Sequence, residues 1–170
     1  MKIVRIFAPF LWSFKYDDGP DELSRLYDFW TNQEELRNYF ETNNYVLAYY
    51  NIDIEEAIEE TIENADKLYD LLSENREKLD DLFKPLSLYK FRVGNLPHFK
   101  SKKKWLRLYA IKIEANYYVI TGGAIKQSQT MQGNTQTNEE LEKLSKCRNY
   151  LISNGVFDTD SMIDFIELEL

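Results

Sequence analysis

The sequence predicts an α+β protein with a small antiparallel sheet, an enlarged acidic helical block and C-terminal helices. Three observations lead to this prediction. Alternating segments rich in β-branched and aromatic residues stand at the N-terminus and again after residue 84. Between them lies a long segment whose apolar residues recur every three or four positions, which is the period of an α-helix. Because the strands and helices are grouped along the chain, the pattern favours α+β over an alternating α/β fold.

The length and composition fit a single globular domain. The chain has 170 residues, of which 44% are hydrophobic and 29% charged. We expect one domain over 1–170, with an acidic helical lobe of about residues 21–84 inserted between N-terminal strands and a C-terminal hairpin and helix part. The first residues lack the apolar run of a signal peptide, and no stretch of about 18 apolar residues occurs. We therefore expect a cytoplasmic protein without a membrane partner.

The N-terminal elements follow from local patterns. Residues 2–7 and 11–16 alternate in polarity and predict two strands, which either pair with each other or flank the later hairpin. A helix is expected over about 21–30. Thr31 followed by Glu34 has the spacing of a capping box, which predicts that a second helix begins there.

The strongest helical pattern covers about residues 53–76. Its apolar seam is formed by Ile54, Ala57, Ile58, Ile62, Ala65, Leu68, Tyr69 and Leu72. The opposite face carries the glutamates Glu55, Glu56, Glu59, Glu60 and Glu63. A solvated face is the ordinary interpretation of such a charge run. The alternatives are a docking surface for a basic partner and a mimic of nucleic acid.

The C-terminal half opens with predicted strands. Residues 88–93 predict a strand, and residues 96–104 a basic loop. Residues 105–113 and 117–125 predict the two strands of a hairpin. The pair Gly122-Gly123 within the return strand marks a bulge or a close backbone approach.

Two helices are expected to close the chain. Residues 126–136 are polar and predict a loop. Thr137 with Glu140 forms a second capping box, which opens a helix to about Ser153. A last helix is expected over about 162–168.

The net charge of −8 is distributed unevenly. Residues 1–84 carry 9 basic against 20 acidic side chains, a net of −11, whereas residues 85–170 carry 12 against 9, a net of +3. Within 88–132, nine Lys and Arg side chains face one acidic residue, Glu114, so this segment is +8. Because charges act within a Debye length of about 8 Å, the overall acidity does not exclude a polyanionic partner for this segment.

Single residues limit the chemistry that the chain can perform. One cysteine, Cys147, excludes an internal disulfide framework and any multi-cysteine metal site, and its apolar helical setting predicts a buried, unreactive thiol. One histidine, His98, is a candidate general acid or base; the alternative is an ordinary exposed loop histidine. We expect no metal site and no cofactor.

A basic and aromatic constellation lies on or beside the predicted hairpin. Its basic members and the tyrosine on the same strand face are Arg107, Tyr109, Lys112 and Lys126, interleaved with Trp105, Tyr117 and Tyr118. Cations bind phosphates, and aromatic rings stack on unpaired bases. The alternative is a hairpin whose aromatic residues face the core and whose cations are solvated.

The predicted hairpin and the helix after it resemble part of a known protein family. The run Trp105 to Ile113 (WLRLYAIKI), then 117–130 (YYVITGGAIKQSQT), then Thr137 to Leu144 resembles the C-terminal part of RelE/HigB-like toxins, including phage-derived relatives. It covers about residues 88–153. In that family a basic strand such as LRLY precedes a strand ending in a GxxKKTQxTP-like stretch, and Gln127 and Met131 stand here where the family has its second lysine and its proline.

The resemblance implies a ribosome-dependent mRNA endonuclease, the toxin of a bacterial type II toxin–antitoxin pair, which inhibits growth and is neutralised by a cognate antitoxin. Arg107 matches the basic position of the family's strand, and Lys126 matches the first lysine after it. Metal-independent catalysis would then involve Arg107, Lys126, Tyr109 and His98. RNA binding would involve Lys102, Lys103, Lys104, Trp105, Lys112 and Tyr118. The alternative is a non-enzymatic interaction or regulatory protein on a degenerate toxin scaffold, docking through the acidic helix.

Overall fold

A computed structural model describes residues 1–7, 9–85, 98–126 and 134–169 of the chain. The strands are β1 (Lys2–Phe7), β2 (Leu11–Lys15), β3 (Lys84–Pro85), β4 (His98–Lys103), β5 (Leu106–Glu114) and β6 (Tyr117–Ile125). The helices are α1 (Glu22–Trp30), α2 (Gln33–Thr42), α3 (Tyr45–Tyr50), α4 (Ile54–Glu74), α5 (Leu79–Leu82), α6 (Asn134–Ser153) and α7 (Thr159–Glu169). In this described part of the chain, no helix combines the length and the hydropathy needed to cross a membrane.

The six strands form one mixed sheet with the order β1-β2-β6-β5-β4-β3. β1 pairs with β2 in antiparallel fashion, and β2 then lies parallel to β6. The first two strands therefore pair with each other and also flank the hairpin of β5 and β6, so both arrangements that the sequence left open occur. The remaining pairs are antiparallel, so the α+β class is confirmed and the expectation of a purely antiparallel sheet is corrected at the β2–β6 pair.

Helices cover both faces of the sheet and create two hydrophobic cores. Successive residues of β6 point to opposite faces, so Ile120 joins the core under the helices α1 to α5, while Val119 joins the core under α6 and α7. The seam of α4 is buried as its period predicts, with Leu72 fully inaccessible. Because both faces are covered, alternate residues of the central strands β5 and β6 are buried on both sides of the sheet and neither strand has a solvated face.

The start of two helices differs from the sequence prediction. Asn32 caps α2, accepting a 3.0 Å hydrogen bond from the Glu35 backbone N–H, whereas the Thr31 hydroxyl donates back to the carbonyl of Tyr27 at the end of α1. The predicted start of the second helix at Thr31 is therefore wrong by one residue, because Thr31 is the C-terminal cap of α1. α6 likewise begins at Asn134, so Thr137 lies inside the helix.

A strand stands where the sequence predicted a basic loop. β4 pairs with β5 from His98 opposite Ile111 to Lys103 opposite Leu106. Lysine has a low intrinsic strand propensity, but backbone pairing with the buried strand β5 outweighs that preference. The predicted strand over 88–93, with Lys90 and Arg92, and most of the predicted loop over 126–136 lie outside the described residues.

Candidate nucleic-acid interface

Five of the basic residues singled out in the sequence come together at one end of the sheet. β4 ends at Lys103 and β5 begins at Leu106, opposite the end of β6. The backbone N–H of Lys126 donates a 2.6 Å hydrogen bond to the carbonyl of Trp105, which fixes the end of β6 beside the β4–β5 turn. We call this region, formed by Lys102, Lys103, Lys104, Arg107 and Lys126, the cationic sheet end. For Lys102 and Lys103 the structure describes the backbone alone.

Arg107 is the buried member of the cationic sheet end. Its side chain lies on β5 with 9% of the residue exposed, and Nη1 donates to the carbonyls of Lys104 at 2.6 Å and of Leu106 at 2.9 Å. Burial lowers the pKa of this guanidinium. No carboxylate of the described residues forms an ion pair with it. A guanidinium held in place by neutral carbonyls keeps its positive charge uncompensated, which favours an anionic ligand.

The acidic helix α4 holds the turn between β4 and β5. Lys104 adopts a left-handed backbone conformation with φ of 51°, and its ammonium group pairs with Glu60. The next residue, Trp105, is fully buried and donates from Nε1 to the hydroxyl of Thr61 at 2.9 Å. Two consecutive residues of α4 therefore bind two consecutive residues of the turn. The acidic lobe is a direct neighbour of the cationic sheet end and neutralises one of its lysines.

The two aromatic residues predicted to stack on bases lie in the core. Trp105 and Tyr118 are both 0% exposed. The Tyr118 ring stacks on Phe83 with centroids 4.5 Å apart, and its hydroxyl donates to Asp80 at 2.5 Å. Neither ring has the exposed face that stacking on a base requires, so we do not assign that role to them.

The remaining predicted residues are buried or lie farther along the sheet. Tyr109 is 3% exposed and packs in the core under α6. His98 is paired with Ile111, which lies about 13 Å along β5 from Arg107 at 3.3 Å per residue. Lys112 forms an ion pair with Asp80 at 3.1 Å near the far end of the sheet. The structure thus places Arg107 at the same sheet end as the lysines of the turn, with Tyr109 buried next to it on β5 and His98 farther along the sheet.

A residue that the sequence did not single out joins this region. Tyr50, the last residue of α3, donates from its hydroxyl to the carbonyl of Lys126 at 3.3 Å, and its ring lies 5.0 Å from that of Trp105. Burial raises the pKa of Tyr50. The signal in the sequence was the aromatic run of residues 45–50, which was too short to show a helical period.

A second polar cluster lies between α1 and α6, beside β6. It consists of Glu22, Arg25, Glu140 and Lys143, and we call it the buried charge cluster. Glu22 accepts hydrogen bonds from Arg25 Nε at 2.6 Å and Nη2 at 2.9 Å, and it also pairs with Lys143. Although burial disfavours its charge, these hydrogen bonds hold the pKa of Glu22 below its ordinary value.

Glu140 is the carboxyl of the buried charge cluster whose charged form is disfavoured, in contrast to that of Glu22. Its Oε2 is buried and has no hydrogen-bond partner among the described residues, and burial raises the pKa of this carboxyl. The carboxylate lies where a Cβ on Gly122 would stand, 2.0 Å from that ideal position. A cavity of about 150 Å³ adjoins it, lined mainly by α1 and by Gly123, Ala124 and Ile125. The glycine pair therefore marks a close approach, as predicted, and Thr121 beside it is the extra residue of a bulge.

Cys147 lies against this cluster and is inaccessible. Its Sγ is 3.0 Å from the Tyr16 hydroxyl oxygen, and burial raises the pKa of the thiol to about 12. The prediction of a buried thiol is confirmed. Within the described ranges, no three His, Cys, Asp or Glu side chains are placed to hold a metal ion.

The chain was also compared with known proteins. No protein-family model, no curated protein and no solved structure matches it. What the protein does is therefore inferred from the cationic sheet end and its surroundings.

Proposed function

We propose that the protein binds RNA at the cationic sheet end and is the RNA-cleaving toxin of a type II toxin–antitoxin pair, similar to RelE and HigB. The observation that carries this proposal is the buried guanidinium of Arg107, which forms no ion pair with a carboxylate of the described residues and lies at the sheet end whose backbone also carries Lys102, Lys103, Lys104 and Lys126. Guanidinium groups bind phosphate oxygens in a bidentate manner, and lysines add charge along the backbone. Successive phosphates of an RNA backbone neutralise the positive charge of the cationic sheet end in this proposal.

The proposed chemistry uses Arg107 as an electrostatic catalyst. In the cleavage of an RNA phosphodiester by its own 2′-hydroxyl, the 2′-oxygen gives up its proton and forms a bond to phosphorus, while the P–O5′ bond breaks and the leaving 5′-oxygen takes up a proton, which leaves a 2′,3′-cyclic phosphate. The pentacoordinate phosphate between these states carries additional negative charge. A guanidinium fixed beforehand by the carbonyls of Lys104 and Leu106 stabilises that charge without having to reorganise. With Tyr109 in the core and His98 along the strand, we assign proton transfer to a lysine of the cationic sheet end.

A second candidate function is non-enzymatic binding of a partner by a toxin-like scaffold. Two observations favour it. Tyr109 is buried, which leaves fewer groups for proton transfer, and α4 presents exposed glutamates such as Glu55 and Glu59 on its outer face. In this case the acidic helix would dock on a basic partner, and the cationic sheet end would hold RNA without cleaving it or hold an acidic segment.

Expression in a bacterial host tests the primary proposal. We expect the wild-type protein to arrest growth and the double variant Arg107→Ala, Lys126→Ala to relieve the arrest. The matched control, Arg37→Ala with Lys67→Ala, removes one arginine and one lysine from surface ion pairs with Glu55 and Glu63 and should leave the arrest intact. A small gene for a DNA-binding antitoxin beside this gene would add support. Normal growth on strong expression, with soluble protein present, contradicts the toxin proposal.

Purified protein separates the two candidates. Incubation with labelled RNA, with and without ribosomes, should give cleavage products that the double variant does not give. If RNA stays intact under all conditions and a co-purifying partner is lost when Glu55, Glu59 and Glu63 are changed to Lys, the interaction protein is the correct function.

A further inference from the structure

Two tyrosines of the short helix α3 are exposed beside the cationic sheet end. Tyr45 is 38% and Tyr49 48% exposed, although large aromatic side chains are usually buried. The hydroxyl of Tyr45 donates to Asn43 at 3.3 Å. Tyr49 is the more exposed ring, and it is the residue directly before Tyr50.

A chain of ring contacts connects Tyr49 to the cations. Its ring is nearly perpendicular to that of Tyr50, with centroids 4.8 Å apart and planes at 88°. Tyr50 in turn lies 5.0 Å from Trp105 and donates its hydroxyl to the carbonyl of Lys126. An exposed aromatic ring therefore lies one side chain away from Lys126, the residue that follows β6.

The position of Tyr49 is fixed by the ends of its helix. Val46 is 1% exposed and anchors α3 in the core. Asn51 takes the left-handed conformation, with φ of 53°, and its backbone N–H donates to the carbonyl of Ala48 at 3.3 Å. The backbone N–H of Ile52 also donates to the carbonyl of Leu47 at 3.1 Å. A ring on such an anchored turn loses little conformational freedom when it binds a flat ligand.

We propose that Tyr49 is a stacking residue for an unpaired RNA base whose neighbouring phosphates lie on the cationic sheet end. This inference rests on the proposed RNA binding and names its substrate class as single-stranded RNA. With 48% of the residue exposed, the Tyr49 ring keeps accessible surface for a ligand beside its contact with Tyr50. Bases in a duplex are already stacked on each other, so an aromatic ring beside a phosphate site selects single strands.

Fluorescence anisotropy with short labelled oligonucleotides tests the proposal. The probes are single-stranded RNA, the same sequence as a duplex, and an abasic strand of equal length. We expect the wild-type protein to prefer the single strand over both others. Tyr49→Ala should weaken binding of the single strand about fivefold or more, as loss of one stacked base does. Tyr49→Trp should restore the affinity, because stacking needs only an aromatic face.

The matched control is Phe157→Ala. Phe157 is 67% exposed and precedes Thr159, whose N–H bonds to Glu114 at the far end of β5, so this variant should bind like the wild type. The salt dependence of binding supplies a second readout. Tyr49→Ala should keep the wild-type slope of log affinity against log salt, whereas Arg107→Ala should reduce it because a phosphate contact is lost.

The outcomes distinguish the two proposals. If the wild type binds RNA and Tyr49→Ala binds it equally well, or the abasic strand binds as tightly as the intact strand, the stacking role is overturned and RNA binding stands. If no probe binds the wild type, both are overturned. A protein partner that dissociates on Tyr49→Ala while RNA affinity is unchanged would place the tyrosine in a protein interface instead.

Discussion

The indole Nε1 of Trp105 donates a 2.9 Å hydrogen bond to the hydroxyl of Thr61, and both residues are 0% exposed. This bond joins the turn at the cationic sheet end to the middle of α4. The Thr61 hydroxyl donates in turn to the carbonyl of Ala57 at 2.7 Å, so its lone pairs are available to the indole. The acidic helix is thus a structural support of the turn that presents the lysines.

Replacing the Thr61 hydroxyl should destabilise the protein. Thr61→Val keeps the shape of the side chain but leaves the buried indole N–H without an acceptor, and we expect the free energy of unfolding to fall by about 1–3 kcal/mol. Urea unfolding followed by tryptophan fluorescence measures the change. Thr61→Ser retains the hydroxyl and should cost less; equal losses in both variants would show that packing, not the hydrogen bond, stabilises the contact.

Replacing either adjacent glycine of β6, Gly122 or Gly123, by alanine should destabilise the protein, but the second substitution Glu140→Ala should relieve the cost at Gly122 alone. Gly122→Ala places a methyl group on the Glu140 carboxylate and should cost about 1–3 kcal/mol, as overpacking does. In a Glu140→Ala background this cost should shrink. Gly123→Ala meets the backbone carbonyl of Arg107 at 2.6 Å, so Glu140→Ala should bring no relief there. Thermal unfolding of the three single and two double variants measures the coupling, and identical behaviour of the two glycines would refute it.

The two carboxyls of the buried charge cluster should affect stability with opposite signs. The pKa of Glu22 is held down by Arg25 and Lys143, so its stabilisation is present above its unfolded pKa and is lost as the pH falls through its folded value. Glu22→Gln should therefore lower the free energy of unfolding at neutral pH, by about 1–3 kcal/mol, and by less in acid.

Burial raises the pKa of Glu140, so the folded state binds its proton more tightly than the unfolded chain does. Ionisation of Glu140 at neutral pH then opposes folding, and this cost disappears as the pH falls below the ordinary glutamate value. Glu140→Gln should be more stable than the wild type at neutral pH and equal to it near about pH 4. Urea titrations at both pH values provide the measurement. A destabilised Glu140→Gln variant at neutral pH would mean that the ion pair of Glu140 with Lys143, with 3.5 Å between Oε2 and Nζ, outweighs burial.

Cys147 should resist alkylation in the folded protein. With its thiol pKa raised to about 12 and the side chain 0% exposed, the thiolate is scarce and inaccessible. We expect iodoacetamide to react at least about 100-fold more slowly with the native protein than with the protein in denaturant. Mass spectrometry of quenched samples gives both rates, and rapid labelling without denaturant would contradict the burial of Cys147.

Local patterns predicted the regular elements well where the pattern was long. Asp53 caps α4 as the first residue of the predicted helical segment, and β6 has the predicted bounds of Tyr117 and Ile125. Short or polar elements were missed. α3 has six residues, less than two turns, and β4 is a run of lysines that becomes a strand through pairing with β5. Neither carries a periodic apolar pattern of its own.

The sequence by itself determined the α+β class, the acidic helix, the basic segment after residue 84 and the inert character of Cys147, because composition and periodicity express these directly. Only the tertiary structure decided that Trp105 and Tyr118 face the core while Tyr49 is exposed to solvent, and that Arg107 and Lys126 lie at the same end of the sheet while His98 lies farther along it. Alternation along a strand separates two faces but does not say what covers each of them. Here helices cover both faces of β5 and β6, so strand register and the contact of α4 with the turn set the positions of Lys104, Arg107 and Lys126.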